Sequence, residues 1–238
     1  MLAAMAPPAL AESWDNVGLL VDTGADVTSV LVSLDITEDV AAEAELAGCQ
    51  LIVSHHPVIF EGLKSLSRRD VAFRLVKKNI SAICMHTNLD AAEGGVNDVL
   101  ATLMDMHETI PFAEGCGRVG AVEPITVEQL AQKAQKRLGA HVKYADSGKT
   151  VRRLAVISGA GGSMFADALA QGADCLLTGE ANHHQALDAK RLGMGLVAAG
   201  HFATEQPVVP VLADRLQKQL PALRVVCSRR GRDPFAYL

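Results

Sequence analysis

The sequence predicts an α/β fold: two α/β domains with mixed, mostly parallel sheets flanked by helices. Three observations carry that expectation. Short apolar runs alternate with helix-period segments almost from end to end. The alternation lapses at residues 111–124, "PFAEGCGRVGAVEP", where Gly and Pro concentrate, and this reads as a boundary. Finally, "VLVSLDITEDVAAEAELAGCQLIVSHH" and "LAVISGAGGSMFADALAQGADCLLTGE" each run strand, turn, Ala-rich helix, strand and polar end. That echo is either a repeated α/β unit or ordinary strand–helix–strand grammar.

Each element has a local reason. "VTSVLVSLDI" (27–36) reads as a buried strand, and the helix over 37–48 is capped by Thr37 and stopped at Gly48. Strand "QLIVS", helix "RRDVAFRLVKKN", strand "SAICMH" and helix "GGVNDVLATLMDM" follow. Beyond the lapse come a helix over 126–139, strand 141–145, strand 153–159, helix 163–172, strand 175–180 and helix 181–193. The chain closes with strand "LVAAG", one helix "EQPVVPVLADRLQKQL" whose start is blurred by Pro207 and Pro210, and strand 223–228.

The bulk numbers exclude several function classes. A net charge of -5 gives no global basic field for a polyanion, and 4% aromatic residues leave few stacking platforms, so nucleic acid is disfavoured as a partner. No apolar run reaches the roughly 18 residues of a membrane span. "MLAAMAPPALAESW" lacks a basic segment and has Pro7 and Pro8 where a signal peptide would stay apolar. Cys49, Cys84, Cys116, Cys175 and Cys227 are odd in number and scattered, which fits buried thiols in a reducing compartment, and the cytoplasm is the expected location.

In parallel α/β sheets chemistry collects beyond the C-terminal ends of the strands. One strand ends in "SHHP" with His55 and His56, another in "MHTNLD" with His86 and Asp90, and a third in "GHFATE" with His201 and Glu205. His201 and Glu205 are spaced to share one helix face. Imidazole with carboxylate suits Zn, Mn, Fe, Ni or Co better than an all-oxygen Mg or Ca cage. Adjacent residues on a regular strand point to opposite faces, so His55 and His56 serve one centre only if the backbone has left the strand, and otherwise hold different ions. "TGEANHH" adds Glu180, His183 and His184, the two histidines reading as the polar start of a helix. Gly94 and Gly95, and "SGAGGS" at 158–163, lack the spacing of a phosphate or dinucleotide loop. His107 and His141 read as incidental.

"ESWDNVGLLVD", "LIVSHHPVIFEGLKSL", "CMHTNLDAAEGGVND", "GADCLLTGE" and "GHFATEQP" occur in an order and spacing that resemble the GTP cyclohydrolase 1 type 2 homologue family, also called dinuclear metal-centre hexameric proteins. The resemblance covers essentially the whole chain, with an abbreviated first helix. It implies two divalent ions per subunit (Zn, Mn, Fe, Co or Ni) held by His55, His56, Asp90, His201 and Glu205, with Glu205 as the bridge. It leaves His86 outside the ligand set, either supporting a ligand or facing substrate. It also implies a homohexamer, a trimer of dimers, with a metal-binding domain of residues 1–117 and 197–238 and a second domain of 118–196 inserted between. The activity implied is ring opening of GTP by metal-activated water; Glu205 and His86 are the expected catalytic residues, and strand-end position alone offers His86 or Glu180 as a proton shuttle. A metal-dependent hydrolase of another substrate and a non-catalytic metal-binding or metal-handling hexamer both fit the same residues. Lys64, Arg68 and Arg69 are the nearest basic residues to a triphosphate site.

Overall fold

The computed structural model describes residues 1–237. Along the chain run α1 (Leu2–Met5), β1 (Gly18–Val21), β2 (Ser29–Ser33), α2 (Glu38–Leu46), β3 (Leu51–Ser54), α3 (Val71–Lys77), β4 (Ser81–Cys84) and α4 (Thr87–Ala91). Next come α5 (Val96–Leu103), β5 (His107–Phe112), β6 (Gly117–Ile125), α6 (Val127–Leu138), β7 (Lys143–Ala145) and β8 (Val151–Ile157). They are followed by α7 (Phe165–Ala170), β9 (Cys175–Thr178), α8 (His183–Arg191), β10 (Gly195–Ala198) and α9 (His201–Glu205). Last are α10 (Val208–Gln219) and β11 (Arg224–Cys227). Packing divides the chain into two compact units, one of Met1–Leu89 with Val208–Pro234, the other of Asp90–Pro207 with the residues from Phe235.

The first unit holds a five-stranded sheet in the order β1-β4-β3-β2-β11. Strands β11, β2, β3 and β4 are parallel and β1 closes the edge antiparallel to β4. All five residues of β2 are buried, which is why it reads as an unbroken apolar run. Leu31 and Ile52 pack with Val40 and Ala44 of α2 and with Ala72 and Leu75 of α3. The Thr37 side chain accepts from the Val40 amide at 3.2 Å and starts α2 as its sequence suggested.

The second unit is built on a six-stranded sheet, β5-β6-β8-β9-β10-β7. Its centre, β8-β9-β10, is parallel, while β5, β6 and β7 pair antiparallel around it. The pleat sends Leu154 and Val156 into one core with Val127, Leu130 and Ala134 of α6. Ala155 and Ile157 go into another with Ala168, Ala189 and Met194. Helix α6 has the full capping box, Thr126 and Gln129 satisfying each other's backbone amides.

The run β1-β2-α2-β3-α3-β4 of the first unit and β7-β8-α7-β9-α8-β10 of the second have the same element order. Both also give the same strand neighbours, with the first strand antiparallel on the outer edge of the last. The two echoing segments are the strand–helix–strand cores of this repeated topology.

Two expectations are corrected. Residues 111–124 are the end of β5, the turn and most of β6 in one hairpin: Gly115 lies in the turn with φ +98°, while Gly117 and Gly120 belong to β6, where a side chain would meet the Phe112 ring or, at 2.7 Å, the His107 carbonyl. The single helix expected from residue 205 is two, α9 and α10, with Pro207 at the break because proline has no N–H to continue the ladder.

Candidate metal centre

In the first unit the strand β3 ends at Ser54, and the backbone turns at once. The amides of both His55 and His56 donate to the Leu34 carbonyl, at 3.1 and 2.9 Å. The alternation of the pleat no longer applies, and the two rings lie side by side with centroids 4.9 Å apart. The opposite-face argument for one ion per histidine thereby fails. His86, just past β4, completes a triangle at 5.2 Å from His55 and 5.5 Å from His56. One ring nitrogen from each of the three lies within 4.8 Å of the others.

Each ring is held at Nδ1 by an oxygen. His55 Nδ1 is 2.9 Å from the Met85 carbonyl, His56 Nδ1 is 2.7 Å from Asp35 Oδ1, and His86 Nδ1 is 2.8 Å from Asp15 Oδ1. An oxygen there selects the tautomer with the proton on Nδ1 and the lone pair on Nε2, as at metal-ligating histidines. Burial, then the neighbouring His55, push the His86 pKa down against the pull of Asp15, which favours the neutral ring. Asp15 is itself pushed up by burial, but hydrogen bonds from Thr87 and His86 outweigh this and hold it below the ordinary carboxylate value. His55 is only 1% exposed. A cleft of about 260 Å³ opens beside His56, walled by Asp35, Thr37, Pro57, Val58, Leu63 and Asp70. That is below the roughly 300–1,000 Å³ of a whole small-molecule site, so it suits a fragment of a ligand.

In the second unit the ends of β8, β9 and β10 converge. The Glu180 amide donates to Gly159 O at 2.8 Å and the Gly200 amide to Gly179 O at 2.9 Å. Helix α9 opens on His201, whose Nε2 is 3.2 Å from Glu205 Oε2 one turn later, and whose Nδ1 is 3.1 Å from Glu180 Oε1. Glu205 is 4% exposed. Gly159 has φ +59°, and a side chain there would collide with Glu205 Oε1 and lie 3.2 Å from His201 Nε2. The Gly159 amide donates to Thr204 Oγ1 at 3.1 Å, tying this turn to α9. Asp90 accepts from Ser158 Oγ at 3.4 Å, next to Gly159, and Asn97 donates to its carbonyl. Arg118 fixes the residues that follow, donating to the Ala91 and Ala92 carbonyls at 3.0 and 3.2 Å while paired with Asp98.

Each unit offers donors that suit divalent transition metals: anchored imidazoles in the first, an imidazole–carboxylate pair one helical turn apart in the second. The family description Duf34/NIF3 (NGG1p interacting factor 3) matches residues 1–234. The chain belongs to the Duf34/NIF3 family. It is 31% identical to the GTP cyclohydrolase 1 type 2 homolog of Clostridium perfringens, over 98% of this chain and 95% of that protein. To NGG1-interacting factor 3 of Saccharomyces cerevisiae it is 32% identical, over 94% of this chain and 90% of that one. The crystal structure of Staphylococcus aureus hypothetical protein SA1388 matches with TM-score 0.90 and 30% identity, covering 100% of this chain and 96% of that one.

Within this Duf34/NIF3 chain the predicted site residues are distributed between the units: His55, His56 and His86 in the first, Asp90, His201 and Glu205 in the second. His183 and His184 lie exposed in the first turn of α8 behind the Asn182 cap, as expected of a polar helix start. His141, read as incidental, stacks on Tyr237 at 4.2 Å. Sequence reasoning missed Asp35, Asp15 and Gly159. Asp35 follows the end of β2 and would have emerged had every strand end been inspected. Asp15 sits inside "SWDN" but only its contacts give it a role. Gly159 carried no signal beyond a glycine-rich turn. No helix among the described residues is long and apolar enough to cross a membrane.

Proposed function

We propose that this protein binds two divalent metal ions and is a metal-dependent hydrolase of the GTP cyclohydrolase 1 type 2 kind. The observation that carries the reading is the triangle of imidazoles, each anchored at Nδ1 by an oxygen, which leaves Nε2 of His55 and His56 as the ligating atom and Nε2 of His86 as a proton acceptor. Surface histidines have no cause to be fixed in this way three times over. The ligands proposed are His55, His56, Asp90, His201 and Glu205, with Glu205 as the bridge. That assignment of the five to one centre rests on the family resemblance, as does assembly into a homohexamer.

When bound, the ions supply Lewis-acid activation of water and of the bond under attack. The chain's own residues do the rest. Met85 O, Asp35 and Asp15 hold the three rings in place, so no orientation has to be found at the moment of reaction. His86 keeps one proton at Nδ1 against Asp15 and offers Nε2 to take or return another, the role of a general base. Glu180 steadies His201 from the side opposite Glu205. Ring opening of GTP is the reaction that the relatives' name suggests.

The test is elemental analysis of the purified protein together with GTP turnover, followed by pterin fluorescence and formate release. About two divalent ions per chain, and turnover lost in Glu205→Ala, are expected. Fewer than one ion per chain with no rebinding on dialysis against Zn, Mn, Fe or Co would sink the metal reading. Full metal loading with no turnover would leave a non-catalytic metal protein, a reading favoured by the yeast relative's name as a factor that interacts with another protein.

A further inference from the structure

The chain contains one tryptophan, two tyrosines and six phenylalanines, and it spends two of these nine rings in the open beside the histidine triangle. Trp14 is 59% exposed and Phe60 51% exposed. Their centroids are 6.0 Å apart, and each stands edge-to-face to His86, at 6.2 and 6.4 Å. The three rings thus form one small aromatic corner, with His86 as the member that also belongs to the metal cluster.

This corner is held rigidly although its faces are bare. Trp14 sits in a turn whose next residue, Asp15, is gripped by the Thr87 amide at 3.0 Å, by the Thr87 hydroxyl at 2.5 Å and by His86 at 2.8 Å. The Glu12 amide, on the other side of the turn, donates to Thr87 Oγ1 at 3.0 Å. The loop bearing Phe60 is tied to the same turn, since Asn16 Nδ2 donates to the Ile59 carbonyl at 2.6 Å. Two large apolar rings exposed on an immobilised backbone gain little for folding, because their area stays in water. They are instead preorganised for something flat.

We infer that Trp14 and Phe60 form a stacking platform for a planar heterocycle of purine size, placed beside the histidine cluster. The chemistry fits a base better than an aliphatic group: both rings offer π faces, and His86 lies against their edges with its Nδ1–H already committed to Asp15. A ring inserted between two others needs about 7 Å between them, two layers of van der Waals contact. At 6.0 Å and a 47° tilt, Trp14 and Phe60 take the heterocycle on their outer faces. Such stacking tolerates any base, so specificity would come from elsewhere in the site. The inference rests on the proposed function for the reaction centre and for its purine nucleotide, and adds the residues that would hold the base.

Because Trp14 is the sole tryptophan, its fluorescence reports on this platform alone. The metal-loaded protein would be titrated with guanosine, adenosine and GTP, and in parallel with ribose 5-phosphate and inorganic triphosphate. Saturable quenching by the three purines and none by the two compounds without a base is expected. By calorimetry Trp14→Ala should weaken GTP binding about tenfold to a hundredfold, and Trp14→Phe should retain most of it. No quenching by any purine, equal quenching by triphosphate, or unchanged GTP affinity in Trp14→Ala would overturn the platform. So would a Trp14→Ala protein whose assembly mass changes while purine binding does not, which would make this corner an interface between copies. Metal content measured on the same samples separates the two readings. Purine quenching in a protein that binds no metal keeps the platform and rejects the metal centre, and a metal-loaded protein that ignores purines does the reverse.

Discussion

The two units carry the same strand order and place their polar residues at the same strand ends, yet they fill those ends with different chemistry. Beyond β2, β3 and β4 stand Asp35, the His55–His56 pair and His86; beyond β8, β9 and β10 stand Gly159, Glu180 and His201. The first unit has three imidazoles, two of them braced by carboxylates at 2.7 and 2.8 Å, one of which, Asp15, has a fully buried side chain. The second has one imidazole, braced at 3.1 Å by a Glu180 whose side chain is half exposed, and a buried glutamate packed against a glycine. A repeated backbone therefore fixes where chemistry is placed, while the identity of the side chains decides which half is rigid. In the first half rigidity comes from hydrogen bonds to the rings. In the second it comes from backbone closeness.

The largest expected effect lies in the rigid half. His55→Ala should lower metal affinity by more than about a hundredfold, since it removes a proposed ligand, which costs more than the tenfold to hundredfold of a supporting group; elemental analysis after dialysis measures it. Asp15→Asn should cost about tenfold to a hundredfold in metal affinity, and Glu180→Gln less than about tenfold, because an exposed partner at longer range orients its ring less. Equal effects by competition with a chelator would break the comparison between the halves.

Gly159→Ala tests the backbone device. A left-handed φ with a side chain costs about 1–2 kcal/mol, and contact with Glu205 adds to it, so the melting temperature should fall by several degrees. A smaller loss, about 1 kcal/mol by urea denaturation, is expected for Thr126→Ala at the capping box of α6, a helix flanking the second sheet. The smallest effect concerns Asp105, which Arg137 and Lys133 hold well below the ordinary carboxylate value of 3.8, at about 2. Its folded-state pKa is the lower one, so its contribution is present above about pH 4 and fades as pH falls toward 2. The carboxylate is mostly exposed, so Asp105→Asn should cost under about 1 kcal/mol at pH 7 and nothing near pH 2, read from melting curves.

The sequence was most legible where periodicity and capping agree. Thr37, the apolar β2 and the helix over 126–139 follow from neighbours within a turn or two of chain. It was least legible at 107–125, where a hairpin is built from glycines and two prolines that locally spell a linker. Only the packing of Gly117 on Phe112 and of Gly120 on the His107 carbonyl explains why glycine stands in those strands. The same split divides the site. His55, His56, His86, His201 and Glu205 were visible because titratable residues at the ends of apolar strands are out of place. Asp15 and Asp35 were not, because their value lies in reaching rings 71 and 21 residues away.

By itself, then, the sequence determined the α/β class, the strand ends at which chemistry collects and the residue types that suit a divalent metal, since each depends on local pattern. The tertiary structure alone decided that His55 and His56 face together, because two amides share the Leu34 carbonyl. It alone decided which oxygen fixes each ring and that Trp14 and Phe60 flank His86. Those outcomes depend on distances between segments far apart in the chain, which no period along it encodes.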